Sequence, residues 1–140
     1  MFPMANEAAT IELGRNDGTV VRRTVAAGTT ISGGSLCVLA DPNTASKSLV
    51  TSTGTAFAGI ASTDKDGNDS STNLGFYTTG VFDLTLALKT TCTAGNKCVI
   101  SGANLVREAV AAELLTGAVI GEFEETGSAA EVVRVRLHTG

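Results

Sequence analysis

The residues able to do chemistry are few and widely spaced. His138 is the single histidine. A general base needs a nucleophile and an orienting carboxylate in reach, and its surroundings supply neither, so it reads as a residue on the outer face of a strand. The three cysteines, Cys37, Cys92 and Cys98, form no CxxC pair, and a zinc site wants four ligands at recognisable spacing. Two readings of them stand: buried thiols acting as small hydrophobes, or a Cys92–Cys98 disulfide. The run DKDGNDSS offers Asp64, Asp66, Asn68 and Asp69 to a calcium ion, but Gly67 is fourth and Gly75 twelfth where an EF-hand loop wants Gly sixth and Glu twelfth. It reads as an acidic surface turn. Glu122, Glu124 and Glu125 could be carboxylates for acid/base work, but no aromatic platform accompanies them, and they read as a solvated strand face. Gly33, Gly34 and Gly59 build no phosphate loop, since neither GxGxxG nor GK[ST] follows a strand. The chain is therefore expected not to be an enzyme and to hold no cofactor and no metal.

The elements that position these residues are β-strands. The 140 residues have the length of one domain. They are 43% hydrophobic and 17% charged, which excludes whole-chain disorder. Sixteen glycines and twenty threonines favour short strands and turns over long helices. Net charge is −4 and basic residues never cluster, so no nucleic-acid partner is expected. Residues 1–10 have no basic n-region and no window reaches the ~18 apolar residues of a membrane span, so neither export nor membrane insertion is expected.

Strand patterns run along the whole sequence. Ile11 and Leu13, then Arg15-Asn16-Asp17-Gly18, then Thr19–Val25 predict a hairpin, because the glycine of Asp-Gly accepts φ > 0 without steric cost. Leu36–Ala40 predicts a continuous apolar strand ended by Asp41-Pro42-Asn43. Leu49–Thr51, Ala56–Ala61, Gly75–Tyr77 and Val81–Leu88 follow, with 64–73 as a solvated loop. Residues 107–115 hold good helix formers and predict one short helix or helical turn, a strand being the rival. Val133, Val135 and Leu137 alternate with Arg134, Arg136 and His138, a half-buried strand whose basic face would suit the glutamates at 122–125.

An internal repeat organises these pieces. TTISGGSLCVLA at 29–40 aligns with TTCTAGNKCVIS at 90–101, an offset of 61. TAFAGIA at 55–61 aligns with GAVIGEF at 117–123, an offset of 62, and Cys92 falls opposite Ile31. Two copies are too few for a solenoid. They suit a pseudo-symmetric barrel or sandwich in which each half supplies one sheet. The expected fold is all-β, a compact barrel or sandwich domain. A single β domain is expected over 14–140, with pseudo-repeats at about 29–88 and 90–137. An N-terminal arm precedes it at 1–13, and its Phe2, Pro3, Met4, Ile11 and Leu13 are either a frayed start or an anchor for a partner.

The order TVAAGTTISGGSLCVL, TAFAGIASTD, GFYTTGVFDL, TAGNKCVI and VVRVRLH resembles a family of small head decoration, or cement, proteins of tailed phages, long catalogued as a domain of unknown function. Ala26-Ala27-Gly28, Phe57-Ala58-Gly59-Ile60-Ala61, Gly80-Val81-Phe82 and Ala94-Gly95-Asn96 stand at that family's positions. Asn96 replaces the usual Asp, and Cys98 stands near the usual aromatic. The resemblance implies a structural virion protein, synthesised in the host cytoplasm, that binds the exterior of an icosahedral capsid. It implies a compact β-barrel or tulip-like domain, the major capsid protein as partner and a homotrimer as assembly; the arm residues are then the candidates for capsid contact. The alternative function is a β-sandwich adhesion or glycan-binding module, for which the scarcity of aromatics is unfavourable.

Overall fold

The computed structural model describes residues 6–12, 20–40, 44–47 and 55–137. Eleven strands and one 3₁₀ turn make an all-β molecule. Strands β2 (Val21–Thr24), β3 (Leu36–Ala40), β4 (Thr44–Lys47), β5 (Phe57–Ala61) and β6 (Asn73–Tyr77) close into a barrel in the order β2-β4-β3-β5-β6. Strands β7 (Gly80–Leu86), β8 (Lys97–Gly102), β9 (Leu105–Glu108), β10 (Val119–Phe123) and β11 (Val132–Leu137) form the second sheet. That sheet also joins end to end, because β9 pairs with β7. Strand β1 (Ala9–Glu12), within the expected arm, adds antiparallel to β7.

The two rings share one register. Cys37 lies opposite Lys47, and 61 residues on Cys98 lies opposite Glu108. Cys37 also faces Gly59, as Cys98 faces Gly121, each next to a register shift. The parallel pair that closes each ring matches as well, Thr24 with Thr44 and Thr85 with Leu105. Gly34 and Gly95, with φ of 91° and 92°, make the same left-handed turn ahead of β3 and β8. The repeating unit is thus β2–β6 and then β7–β11, with its boundary at residues 78–79. As expected, each half supplies one sheet, and the parallel pairing in each lets that sheet close on itself.

Strand alternation divides the core. Cys37, Ala45, Ala58, Ala61, Leu74 and Phe76 cluster within the first barrel. Their neighbours Leu36, Val38, Phe57 and Ile60 cluster instead with residues of the second, among them Phe82, Ile120 and Leu137. β3 and β5 are therefore apolar on both faces, which is why LCVLA and FAGIA read as continuous apolar runs. Each of those four bridging side chains contributes on the order of 1.5–3 kcal/mol of apolar burial. In the second barrel the positions equivalent to Leu36 and Ile60 carry Lys97 and Glu122, an ion pair at 3.3 Å with no barrel to cover it. Asn104, buried at φ 58°, welds the two units by accepting the Leu36 N–H at 2.9 Å.

Several expectations change. The hairpin across Asp17-Gly18 does not form: β1 pairs with β7 and β2 with β6, so the strands flanking that turn lie in different sheets. A local turn signal has lost to the long-range closure of the barrels. The expected strands at Gly75–Tyr77 and Val81–Leu88 are β6 and β7, divided at 78–79, with Gly80 at φ 120° opening the second. Residues 107–115 divide between the end of β9 and a 3₁₀ turn at Ala111–Glu113. The polar run 64–73 is not wholly solvated, since Lys65 bridges to Ile31 and is 2% exposed. The turn residues 41–43, the candidate strand at 49–51 and the Asp-Gly turn itself lie outside the described residues.

Candidate contact surface

The connection between β9 and β10 is an apolar tip held from below. Val110, Leu114 and Leu115 are 57%, 51% and 97% exposed. Glu113 organises the backbone around them. Arg107, at the end of β9, donates Nη1 to Glu113 Oε1 at 2.8 Å and Nη2 to Glu113 Oε2 at 2.7 Å. The Val110 N–H donates to Glu113 Oε1 at 2.9 Å, and the Thr116 hydroxyl donates to the Glu113 carbonyl at 2.9 Å. The Phe57 N–H reaches across from the first barrel to the Gly117 carbonyl at 3.2 Å. Hydrogen bonding to Arg107 holds the Glu113 carboxyl below its ordinary range, and the same bonds raise Arg107. Such a bidentate pair fixes geometry as well as charge. The tip therefore presents branched apolar side chains on ordered backbone.

The second feature is a cavity of about 250 Å³ on the outside of β2 and β6. Its floor is Lys65, whose Nζ donates to the carbonyls of Ala27 at 2.9 Å and Thr29 at 3.0 Å, with Asp69 Oδ1 at 3.4 Å. The ammonium plugs this end of the first barrel and satisfies carbonyls that water would otherwise have to reach. The neighbouring acids are engaged. Asp64 Oδ1 accepts the Gly33 N–H at 2.7 Å, and Asp69 Oδ1 accepts the Ser71 N–H at 2.8 Å. The Ser71 bond, ahead of Lys65, lowers the Asp69 carboxyl. Among the described residues every buried side-chain nitrogen and oxygen has a partner. No group of three or more His, Cys, Asp or Glu stands ready to hold a metal ion among them.

The other residues singled out by sequence fall apart in space or out of view. Phe2, Pro3, Met4, Leu13 and His138 lie outside the described residues. Ile11 is in β1, its backbone laid along β7, and its side chain is outside the description. The glutamates serve structure: Glu122 meets Lys97, Glu124 meets Arg136 at 2.5 Å, and Glu125 Oε1 accepts the Arg134 N–H at 2.8 Å. The predicted neighbourhood of the basic and acidic strands is thus present in the β10–β11 pairing. All three thiols are free and buried. Burial alone pushes the Cys37 thiol up to about 12, and Cys98 is raised well above 9.0.

Sequence reasoning missed the tip and Lys65. The signal for the tip was the adjacent Leu114-Leu115, which fits no amphipathic period. For Lys65 there was none, since a lysine among aspartates reads as solvated. The fold defines a tandem of two five-stranded β-barrels with an exposed apolar tip. The chain matches no protein-family model and no curated protein.

Proposed function

We propose that this protein is a structural virion component that binds the outer surface of an icosahedral phage capsid as a decoration, or cement, protein. The sequence order that resembles that family supports the reading. The structural observation that carries it is the ordered tip at Val110, Leu114 and Leu115, because scattered exposed apolar residues are ordinary while a fixed group of three marks a contact. In this reading the partner is the major capsid protein and the assembly a homotrimer. The arm residues Phe2, Pro3, Met4, Ile11 and Leu13 supply a second contact.

Stabilisation follows from linkage. A ligand that binds the mature lattice and not its disassembled subunits adds about 2.7 kcal/mol per site at one hundred times its Kd. Repeated over many sites, modest affinity suffices. The test is co-sedimentation of purified protein with stripped and decorated heads, followed by electron microscopy. Stripped heads are expected to bind and decorated heads not, with Leu114→Asp/Leu115→Asp reducing binding. Truncation of residues 1–5, which leaves the Ala8–Gly34 bond and β1 in place, separates the arm's contribution from the fold's. No binding to any capsid, together with a monomeric mass in solution, would overturn the reading.

A further inference from the structure

The two barrels differ at one strand edge. The Val25 N–H donates to the Thr72 carbonyl, on the β6 side of its strand. Alternation along an antiparallel pair then turns the backbone groups of Arg22 and Val20 to the opposite edge. On that edge β4 takes only Thr24. The equivalent edge of the second barrel is filled. There β9 takes Thr85 and Leu86, and β1 continues beside it, Ala9 opposite Asp83, Thr10 opposite Phe82 and Glu12 opposite Val81. Among the described residues nothing pairs with Val20–Arg22 on this side. Burial agrees: Val21 is 40% exposed, whereas its counterpart Phe82 is fully buried.

Charge selects what would complete the edge. Where β7 has Asp83, β2 has Arg22, whose guanidinium makes one bond among the described residues, Nη1 to Asn73 Oδ1 at 3.3 Å. The carboxylates beside it, Asp64 and Asp69, are committed to backbone amides and Lys65. Pairing β2 with β2 of a second copy would bring two Arg22 side chains together, a like-charge contact that disfavours that occupant. We propose that the open edge of β2 at Val20–Arg22 accepts an extended segment of a partner protein as an antiparallel strand, with a carboxylate opposite Arg22. Main-chain hydrogen bonds supply the affinity and the Arg22 pair the selectivity. The site follows from comparing the two barrels and does not require the partner to be a capsid subunit.

The test uses isotope-labelled full-length protein and two blocked peptides. One spans residues 5–14 and so contains β1, the strand that fills the equivalent edge, and the other carries Ala9→Glu to set a carboxylate across from Arg22. At about 1 mM peptide, amide shifts are expected at Val20–Thr24, with the Ala9→Glu peptide binding about 2- to 5-fold tighter. That preference should vanish in Arg22→Glu and in Arg22→Ala, the second variant covering any loss of fold in the first. Three results would overturn the proposal: no shifts, shifts confined to Val81–Asp83, or self-association of the free protein that either variant abolishes. The last would assign the edge to a second copy.

Discussion

Arg107→Met should loosen the apolar tip without unfolding the barrels. The substitution keeps the apolar stem and removes both guanidinium bonds to Glu113, made between side chains 20% and 14% exposed. Hydrogen bonds to charged groups contribute about 1.5–3 kcal/mol each when shielded, and partial solvation brings the pair to about 2 kcal/mol. That is roughly a 30-fold rise in the opening equilibrium of the tip, since about 1.4 kcal/mol is tenfold. Hydrogen exchange reads it directly. The amides of Val110, Leu114 and Thr116, bonded to Glu113 Oε1, the Ala111 carbonyl and the Glu113 carbonyl, should exchange roughly 30-fold faster, while β8 and β10 amides keep their protection. Acid should reproduce the effect. The folded Glu113 carboxyl lies below its ordinary 4.5, so its contribution is complete above that pH and is lost as pH falls through the lowered value. Tip protection within about threefold of wild type would refute the argument. A fall in Tm beyond about 8 °C would do so too, by showing that the pair supports the barrel rather than the loop.

Lys65→Met leaves the Ala27 and Thr29 carbonyls without their donor and should cost about 3 kcal/mol in urea unfolding; an unchanged midpoint would mean water replaces the ammonium. Gly121→Ala places a Cβ 1.9 Å from the Arg136 carbonyl oxygen, so β10 must leave β11, and a loss above about 3 kcal/mol is expected. Gly28→Ala, with nothing within 4 Å, should stay within about 0.5 kcal/mol, and the reverse ranking would sink the argument. The thiols of Cys37, Cys92 and Cys98 should resist a disulfide reagent at about pH 8 in the native protein and react on denaturation, since burial raises all three. Prompt native labelling of Cys37 would contradict its place inside the first barrel.

Much of the architecture was legible because it rests on local rules. Val133, Val135 and Leu137 alternate with arginines, and that period alone places one face of β11 inward. The offset between TTISGGSLCV and TTCTAGNKCV identified matching turns, and Gly34 and Gly95 adopt one φ because each chain reversal needs it. Strand partners were less legible. Asp17-Gly18 is a good hairpin turn in isolation, yet β1 completes β7 and β2 completes β6, since closing each barrel satisfies more backbone than one hairpin. The contact tip was hidden for a related reason. Arg107 and Glu113 meet only after β9 ends and the chain turns back, and no sequence period records that meeting.

Composition, periodicity and the internal offset determined that this chain is made of strands and that it repeats. Those properties depend on neighbours within a few positions along the chain. Tertiary structure decided which barrel face is buried against its twin, why Lys65 is inside, and which strand edge has no pairing among the described residues. Each of these is a competition between surfaces distant in sequence. The apolar Leu36 and Ile60 and the charged Lys97 and Glu122 occupy equivalent positions on equivalent barrels. Only the packing of one barrel on the other determines which set loses its water.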